Sequence, residues 1–205
     1  MLADFSAISI PWRAKTDIWV VAEYERSKCW DGKIPVNVDV LAEKLHGVVF
    51  IPVNSLKQIV GSEAYLSGSL DEIDYDPSSP DVRVKFSVAH ELGHLVLHPT
   101  QIKALRPASF VEWRDMITDM PAGMWGRAEW QAREFAGRLL VPRDYLLGEI
   151  TKYKGAIDQA KNQMQNLTSD DLREVISRKI CRTFGVSGDA IAYRIINEEI
   201  DLLSI

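Results

Sequence analysis

Residues 86–98 read Phe-Ser-Val-Ala-His-Glu-Leu-Gly-His-Leu-Val-Leu-His, and this stretch constrains the fold more than any other. Phe86, Val88, Ala89, Leu92, Val96 and Leu97 make a helix that is apolar on most sides, and such a helix belongs in an interior. Into that interior it carries His90, Glu91 and His94, an H-E-x-x-H set. Residues four apart lie on one helix face about one turn apart, so the two imidazoles can reach a single ion through bonds of roughly 2.0–2.1 Å. Buried polar groups need partners, and a metal is one. Glu91 then stands beside the metal, where a carboxylate can take a proton from a bound water whose pKa falls to about 7. The pattern points to a catalytic zinc site with His90 and His94 as ligands and Glu91 as general base.

The 205 residues, 46% hydrophobic and 26% charged, have the composition of a globular chain with one good core and a small appendage. A net charge of −5 argues against general affinity for nucleic acid or anionic membrane, since both need a basic surplus. The start of the chain lacks a basic region and a sustained apolar run, and no stretch approaches the ~18 apolar residues of a membrane span. A cytoplasmic protein with no membrane partner is expected. Cys29 and Cys181 lie far apart and in no metal-ligand spacing, as reduced core thiols would.

Ile18, Val21, Ala22 and Cys29 space an N-terminal helix, and a second follows Asn37, passes through Leu41 and Leu45 and stops at Gly47. Residues 48–51, stopping at Pro52, together with 64–70 and 72–76, predict a small sheet. Ser79 and Pro80 read as N-cap and first residue of the H-E-x-x-H helix, which Pro99 ends after His98. The polar stretch 151–170 reads as a solvated helix or a linker, dividing a domain over residues 1–150 from a C-terminal unit over 151–205. In that unit residues 172–182, a Gly185-Val-Ser turn and residues 189–197 outline a helix-turn-helix. Charge argues against direct DNA binding there. Over 169–205 five basic residues (Arg173, Arg178, Lys179, Arg182, Arg194) stand against seven acidic ones (Asp170, Asp171, Glu174, Asp189, Glu198, Glu199, Asp201). A packing or partner-binding module fits better.

A catalytic zinc takes three protein ligands plus water, so a third must be found. His98 continues the spacing, but it lies about 12 Å from His90 along the axis at roughly 1.5 Å per residue, too far to share one ion comfortably. The pattern H-E-x-x-H-x-x-G-x-x-H also fails, because Leu97 stands at its glycine and Thr100 at its last histidine. Residues 129–142 are a better source: Ala132, Phe135, Ala136, Leu139 and Leu140 form one helical stripe that Pro142 ends. At about 100° per residue, Glu129 falls within about 80° of Ala132, Ala136 and Leu140. Glu134 falls on the opposite face with Trp130, Gly137 and Arg138, and is expected in solvent. A glutamate on an apolar face needs a reason. Zinc supplies one; a first-turn acid facing the helix dipole or Arg133 is the alternative. Trp113, Met116, Met120, Met124 and Trp125 are either core or a flap over a substrate. Tyr65, Tyr75, His46 and Arg106 are all candidates for stabilising an oxyanion.

Four pieces recur in a recognisable order: Pro35-Val-Asn-Val-Asp-Val-Leu-Ala-Glu-Lys-Leu-His-Gly47 before a short strand, Lys85-Phe-Ser-Val-Ala-His-Glu-Leu-Gly-His94 with His98 soon after, the 129–142 segment, and Phe184-Gly-Val-Ser187. In these pieces the chain resembles the ImmA/IrrE-type zinc metallo-endopeptidases. The resemblance implies an α+β, zincin-like metallopeptidase domain with a helical C-terminal unit, and zinc held by His90, His94 and Glu129 with Glu91 as base. It also implies a protein substrate, a helix-turn-helix repressor or antitoxin. One departure matters: four residues after Glu129, where such families often carry Asn and thermolysin-like enzymes Asp, this chain has Arg133. Either another residue orients a ligand histidine, or the site is tuned differently. Two further classes compete, a regulator that keeps the zinc fold for protein binding and a DNA-binding regulator acting through the C-terminal unit.

Overall fold

The computed structural model describes residues 8–205 except Arg106, Ala108, Pro121 and Ala122, and the side chain of Met124 also lies outside the description. The chain divides into two compact units, the first holding the described residues through Asp31 with 37–139, the second 32–36 with 140–205. The architecture is α+β: mostly helical, with one small sheet of three strands.

In the first unit helix α1 (Lys15–Ser27) precedes α2 (Val38–His46). The Asn37 side chain accepts from the Val40 amide to start α2, and Gly47 ends it in the left-handed conformation at φ 67°. Both caps stand where the sequence places them. Strand β1 (Val49–Pro52), helix α3 (Leu56–Val60), strand β2 (Ala64–Leu66) and strand β3 (Glu72–Tyr75) follow. The sheet order is β1-β3-β2, with β3 parallel to β1 and antiparallel to β2. β2 is therefore an edge strand. It is shorter than expected because the chain turns after it: the Leu70 amide donates to the Ser67 carbonyl, and Leu70 sits at φ 69°. The Ser67 and Asp76 amides donate to the Glu72 and Glu63 carbonyls, so the alternation of an antiparallel pair turns the backbone groups of Ala64 and Leu66 away from β3, and the Leu66 amide donates there to Glu91.

Helix α4 (Asp81–Leu97) carries the H-E-x-x-H set and packs on β2 and β3. It starts one residue later than the sequence suggests, since Pro80, extended at ψ 134°, is the N-cap in place of Ser79. Helices α5 (Pro99–Leu105), α6 (Phe110–Asp119) and α7 (Met124–Leu140) complete the unit. Ile18, Ala22, Leu92, Ala132, Phe135 and Ala136 form the core where α1, α4 and α7 meet.

The solvent position expected for Glu134 is overturned, because this side chain is 1% exposed and accepts from Trp19 Nε1 of α1 at 3.0 Å. On the same face Arg138 Nε donates to Glu23 at 2.9 Å. The physical reason is that α7 is covered on both sides. One stripe meets α4, and the face that looks polar in sequence meets paired polar groups of α1.

Asp74 on β3 supplies a pH-dependent stability effect. Its burial, with the nearby Glu72 charge, pushes its carboxyl up to about 6. A folded value above the ordinary 3.8 means the folded state binds the proton more tightly, so its stabilising contribution is complete below 3.8 and is lost as pH rises through about 6. Asp74→Asn should therefore raise Tm at pH 8 by roughly 2–4 °C and change it little at pH 3.5, as read by scanning calorimetry.

The second unit contains α8 (Arg143–Thr151), α9 (Lys154–Gln163), α10 (Ser169–Phe184), α11 (Gly188–Asn197) and a 3-10 turn (Leu202–Ser204). The division of the chain thus falls after Leu139, against residue 150 in the sequence reading. Helix α10 begins with a reciprocal cap between Thr168 and Asp171 and ends at Gly185, φ 63°, while Ser187 caps α11. Arg194 of α11 is fully buried against Glu198, which Arg143 Nε also meets at 3.0 Å. Cys29 and Cys181 are free thiols, but both are half-exposed and not core residues as expected. Among the described residues no helix is long and apolar enough to cross a membrane.

Candidate metal centre and active site

Helix α4 presents His90 and His94 one turn apart, and the first half of α7 brings Glu129 to them. His90 Nε2 lies 3.0 Å from His94 Nε2 and 3.1 Å from Glu129 Oε2, and His94 Nε2 lies 3.3 Å from Glu129 Oε1. An ion held tetrahedrally through bonds of roughly 2.0–2.1 Å keeps its ligand atoms about 3.3 Å apart, so the three separations fit a single zinc. Two imidazoles and a carboxylate are also a catalytic-zinc donor set. These three residues offer ligand atoms that all lie within 4.8 Å of one another.

Charge is arranged to suit a cation. Burial works to raise the Glu129 pKa, but hydrogen bonds from His90 and His94 overcome it and hold the carboxyl far below the usual range. Burial lowers the His94 pKa; at His90 the Glu129 carboxylate outweighs burial and raises it. Glu91 stands outside the cluster, where its Oε2 accepts from the Leu66 amide of β2 at 3.1 Å. Burial pushes its carboxyl up to about 7, with the His90 charge opposing and the Glu129 charge adding to the rise. A carboxyl poised near neutral pH suits a general base.

Two side chains the sequence left undecided or set aside lie against the cluster. Trp125 stacks on His94, with ring centroids 5.3 Å apart and planes 9° from parallel, and its Nε1 donates to Glu129 Oε1 at 2.5 Å. Between core and flap, it is a buried residue that holds a candidate ligand. Its position one helical turn before Glu129 was the available signal. His98 is fully buried, and its Nδ1 lies 3.2 Å from His94 Nδ1, the nitrogen facing away from the cluster. Burial brings its pKa down to about 4, so it is neutral at physiological pH. On its far side His98 Nε2 meets Gln131 Oε1 at 3.0 Å. Gln131 was not singled out in the sequence, although an uncharged polar residue within the apolar stripe of α7 was its trace. Arg133 is exposed.

A cleft of about 290 Å³ opens above the cluster, with β2 residues Ala64, Tyr65 and Leu66 on one wall and Trp113 and Ile117 of α6 on the other. Of the candidates for an oxyanion-stabilising group, Tyr65 lines this cleft. Its phenol meets Phe110 and Trp113 edge-on, at 5.0 and 6.0 Å, and burial raises its pKa, so it stays a neutral donor. His46 instead faces Glu25 at 3.2 Å, Tyr75 is absent from the cleft lining, and Arg106 is outside the described residues.

The cluster depends on how closely α4 and α7 approach, and Gly93 permits the approach. A Cβ there would lie 3.0 Å from the Ala132 carbonyl oxygen and 3.1 Å from Ala132 Cα and Phe135 Cδ1. Because two of these atoms are backbone, Gly93→Ala should force the helices apart. A loss of about 1–3 kcal/mol in denaturant unfolding is expected, as for other overpacked cores, with weaker zinc binding because Glu129 moves with α7.

Comparison with curated proteins finds no match. The family model of the IrrE N-terminal-like domain, peptidase M78, matches residues 51–195, a span that includes the open-edged β2, all of α4 and all of α7. That is more than half of the chain and takes in every residue of the cluster: the protein belongs to the peptidase M78 family of IrrE N-terminal-like domains, a family of metallopeptidase type.

Proposed function

We propose that this chain is a zinc-dependent metallo-endopeptidase of the cytoplasm, with His90, His94 and Glu129 as zinc ligands and Glu91 as general base. The observation that carries the reading is the convergence of two histidines and a carboxylate with Glu91 held beside them by the Leu66 amide. A bound zinc supplies Lewis acidity to the scissile carbonyl and acidifies water. The remaining work falls to the chain's own side chains. Glu91 accepts the proton of the attacking water and delivers it to the leaving amine. Tyr65 offers its phenol to the oxygen on which charge develops. Trp125 keeps Glu129 oriented through its indole N–H.

The substrate reading follows from the cleft and from the family resemblance. An extended peptide that adds as a strand along the β2 edge takes the Leu66 amide over from Glu91, and this mode demands a flexible stretch in the partner. A net charge of −5 favours a basic partner, and a helix-turn-helix repressor or antitoxin combines both properties. Incubation with the repressor or antitoxin encoded nearest to this chain's gene should give one zinc-dependent cut in an interdomain or terminal segment, mapped by mass spectrometry with Glu91→Gln as control. Equal cleavage of unrelated unfolded proteins, or no cleavage of the partner, would remove this substrate from the account.

For the C-terminal unit we favour partner binding over DNA binding. Arg194 is enclosed against Glu198, and Arg173 and Arg178 each pair with an acid at 2.8 Å; Lys179 and Arg182 are exposed, so the preference rests on the excess of seven acidic over five basic residues across 169–205. A DNA titration that shows tight, salt-dependent binding would reverse that preference.

A further inference from the structure

The zinc reading leaves open what holds the His94 imidazole in register, since Arg133, one turn after Glu129, is exposed. The polar atoms behind His94 form a chain. His94 Nδ1 meets His98 Nδ1 at 3.2 Å, His98 Nε2 meets Gln131 Oε1 at 3.0 Å, and Gln131 Nε2 donates to the Pro11 carbonyl at 2.8 Å. His98 and Gln131 are fully buried and His94 nearly so.

The direction of every bond in this chain is fixed from its far end. A backbone carbonyl only accepts, so the Gln131 amide nitrogen must face Pro11 and its oxygen must face His98. An amide oxygen also only accepts, so the His98 proton sits on Nε2. The two Nδ1 atoms face each other at 3.2 Å and share a single proton; with the His98 proton placed on Nε2 by Gln131, His94 is the donor, from Nδ1. That leaves the lone pair of His94 on Nε2, the atom aimed at His90 and Glu129. The anchor is itself tied down. Gln101 Nε2 donates to the Ser9 carbonyl at 2.9 Å and Arg127 Nη1 to the Ile10 carbonyl at 2.7 Å, with Ile8 and Ile10 buried. This segment lies outside the 51–195 span that matches the family model.

We propose that His98, Gln131 and the Pro11 carbonyl form a polarised relay that locks His94 in its Nδ1–H tautomer and thereby sets metal affinity at Nε2, with residues 9–11 as its anchor. The proposal rests on the reading of His94 as a zinc ligand. His98 and Gln131 are positioning residues, acting through His94. Outer partners of this kind are worth about 10- to 100-fold in metal affinity.

The test is zinc affinity of the full chain, measured by competition with a chromophoric chelator, for the wild type, His98→Phe and His98→Asn. Phe fills the ring volume but has no acceptor for the His94 N–H; Asn carries a carbonyl oxygen at the position of the ring Nδ1. His98→Phe should bind zinc about 10- to 100-fold more weakly, and His98→Asn should recover most of the loss. A purely structural role would weaken both alike, so equal affinities in the two variants would overturn the relay. Long-range proton–nitrogen NMR of the zinc-loaded wild type gives a second reading that does not depend on either variant folding. It should show His98 protonated at Nε2 and bare at Nδ1, facing a His94 protonated at Nδ1, and a His98 proton on Nδ1 would overturn the proposal. If the wild type takes up no zinc, the metal reading itself falls and the relay loses its purpose; tight zinc binding with equal variants removes the relay alone.

Discussion

Glu91→Gln is expected to keep the fold and one zinc per chain while losing peptidase activity by at least about 100-fold, the usual scale for removing a general base. The substitution isolates chemistry from structure. The side chain keeps its size and retains a carbonyl oxygen for the Leu66 amide, which Glu91 Oε2 now accepts from at 3.1 Å. What it loses is the ability to take a proton. Metal analysis, circular dichroism and a cleavage assay on the same preparation separate the possibilities. Unchanged cleavage would remove Glu91 from the mechanism, whereas loss of cleavage with the biological effect intact would favour a regulator that uses the zinc fold for protein binding.

The second large effect is expected at Glu129. Glu129→Ala leaves two histidines where three ligands are needed, and it strips Trp125 Nε1 of the acceptor it now meets at 2.5 Å. Stoichiometric zinc should be lost. Glu134→Ala, on the same helix, should keep zinc, since its carboxylate faces Trp19 of α1 and not the cluster. It should nonetheless cost roughly 1–3 kcal/mol in unfolding experiments, because the half-buried Trp19 N–H loses an acceptor. Zinc lost from Glu134→Ala and kept by Glu129→Ala would mean that α7 is rotated relative to this account.

The pair Glu129 and Glu134 also shows how far sequence carries. Helical phase alone separates them and assigns Glu129 to the apolar stripe, because periodicity reports which residues share a face. It does not report what covers each face. Glu134 looks solvent-facing in sequence, and only the packing of α1 on the far side of α7 makes it a buried partner of Trp19. The caps at Asn37 and Gly47 and the turn at Gly185-Val-Ser are legible for a local reason, since each is decided by the conformation or hydrogen bonding of a few neighbouring residues. The support behind His94 is not legible in this way. His98 is recognisable as the next residue in the spacing of four, and geometry excludes it as a ligand, but its link to Gln131 spans 33 residues and its anchor at Pro11 lies 120 residues from Gln131. The same holds for the open edge of β2, which depends on the strand order β1-β3-β2 and on no local pattern.

The central claim is a zinc ion held by two histidines and one carboxylate, and zinc-edge X-ray absorption spectroscopy of the purified chain tests it most directly. One zinc per chain in an all nitrogen and oxygen shell at roughly 2.0–2.1 Å, with an imidazole signature from two histidines that drops to one in His94→Ala, is the predicted result. Absence of stoichiometric zinc after growth in zinc-supplied medium, or a sulfur shell near ~2.3 Å, would contradict it.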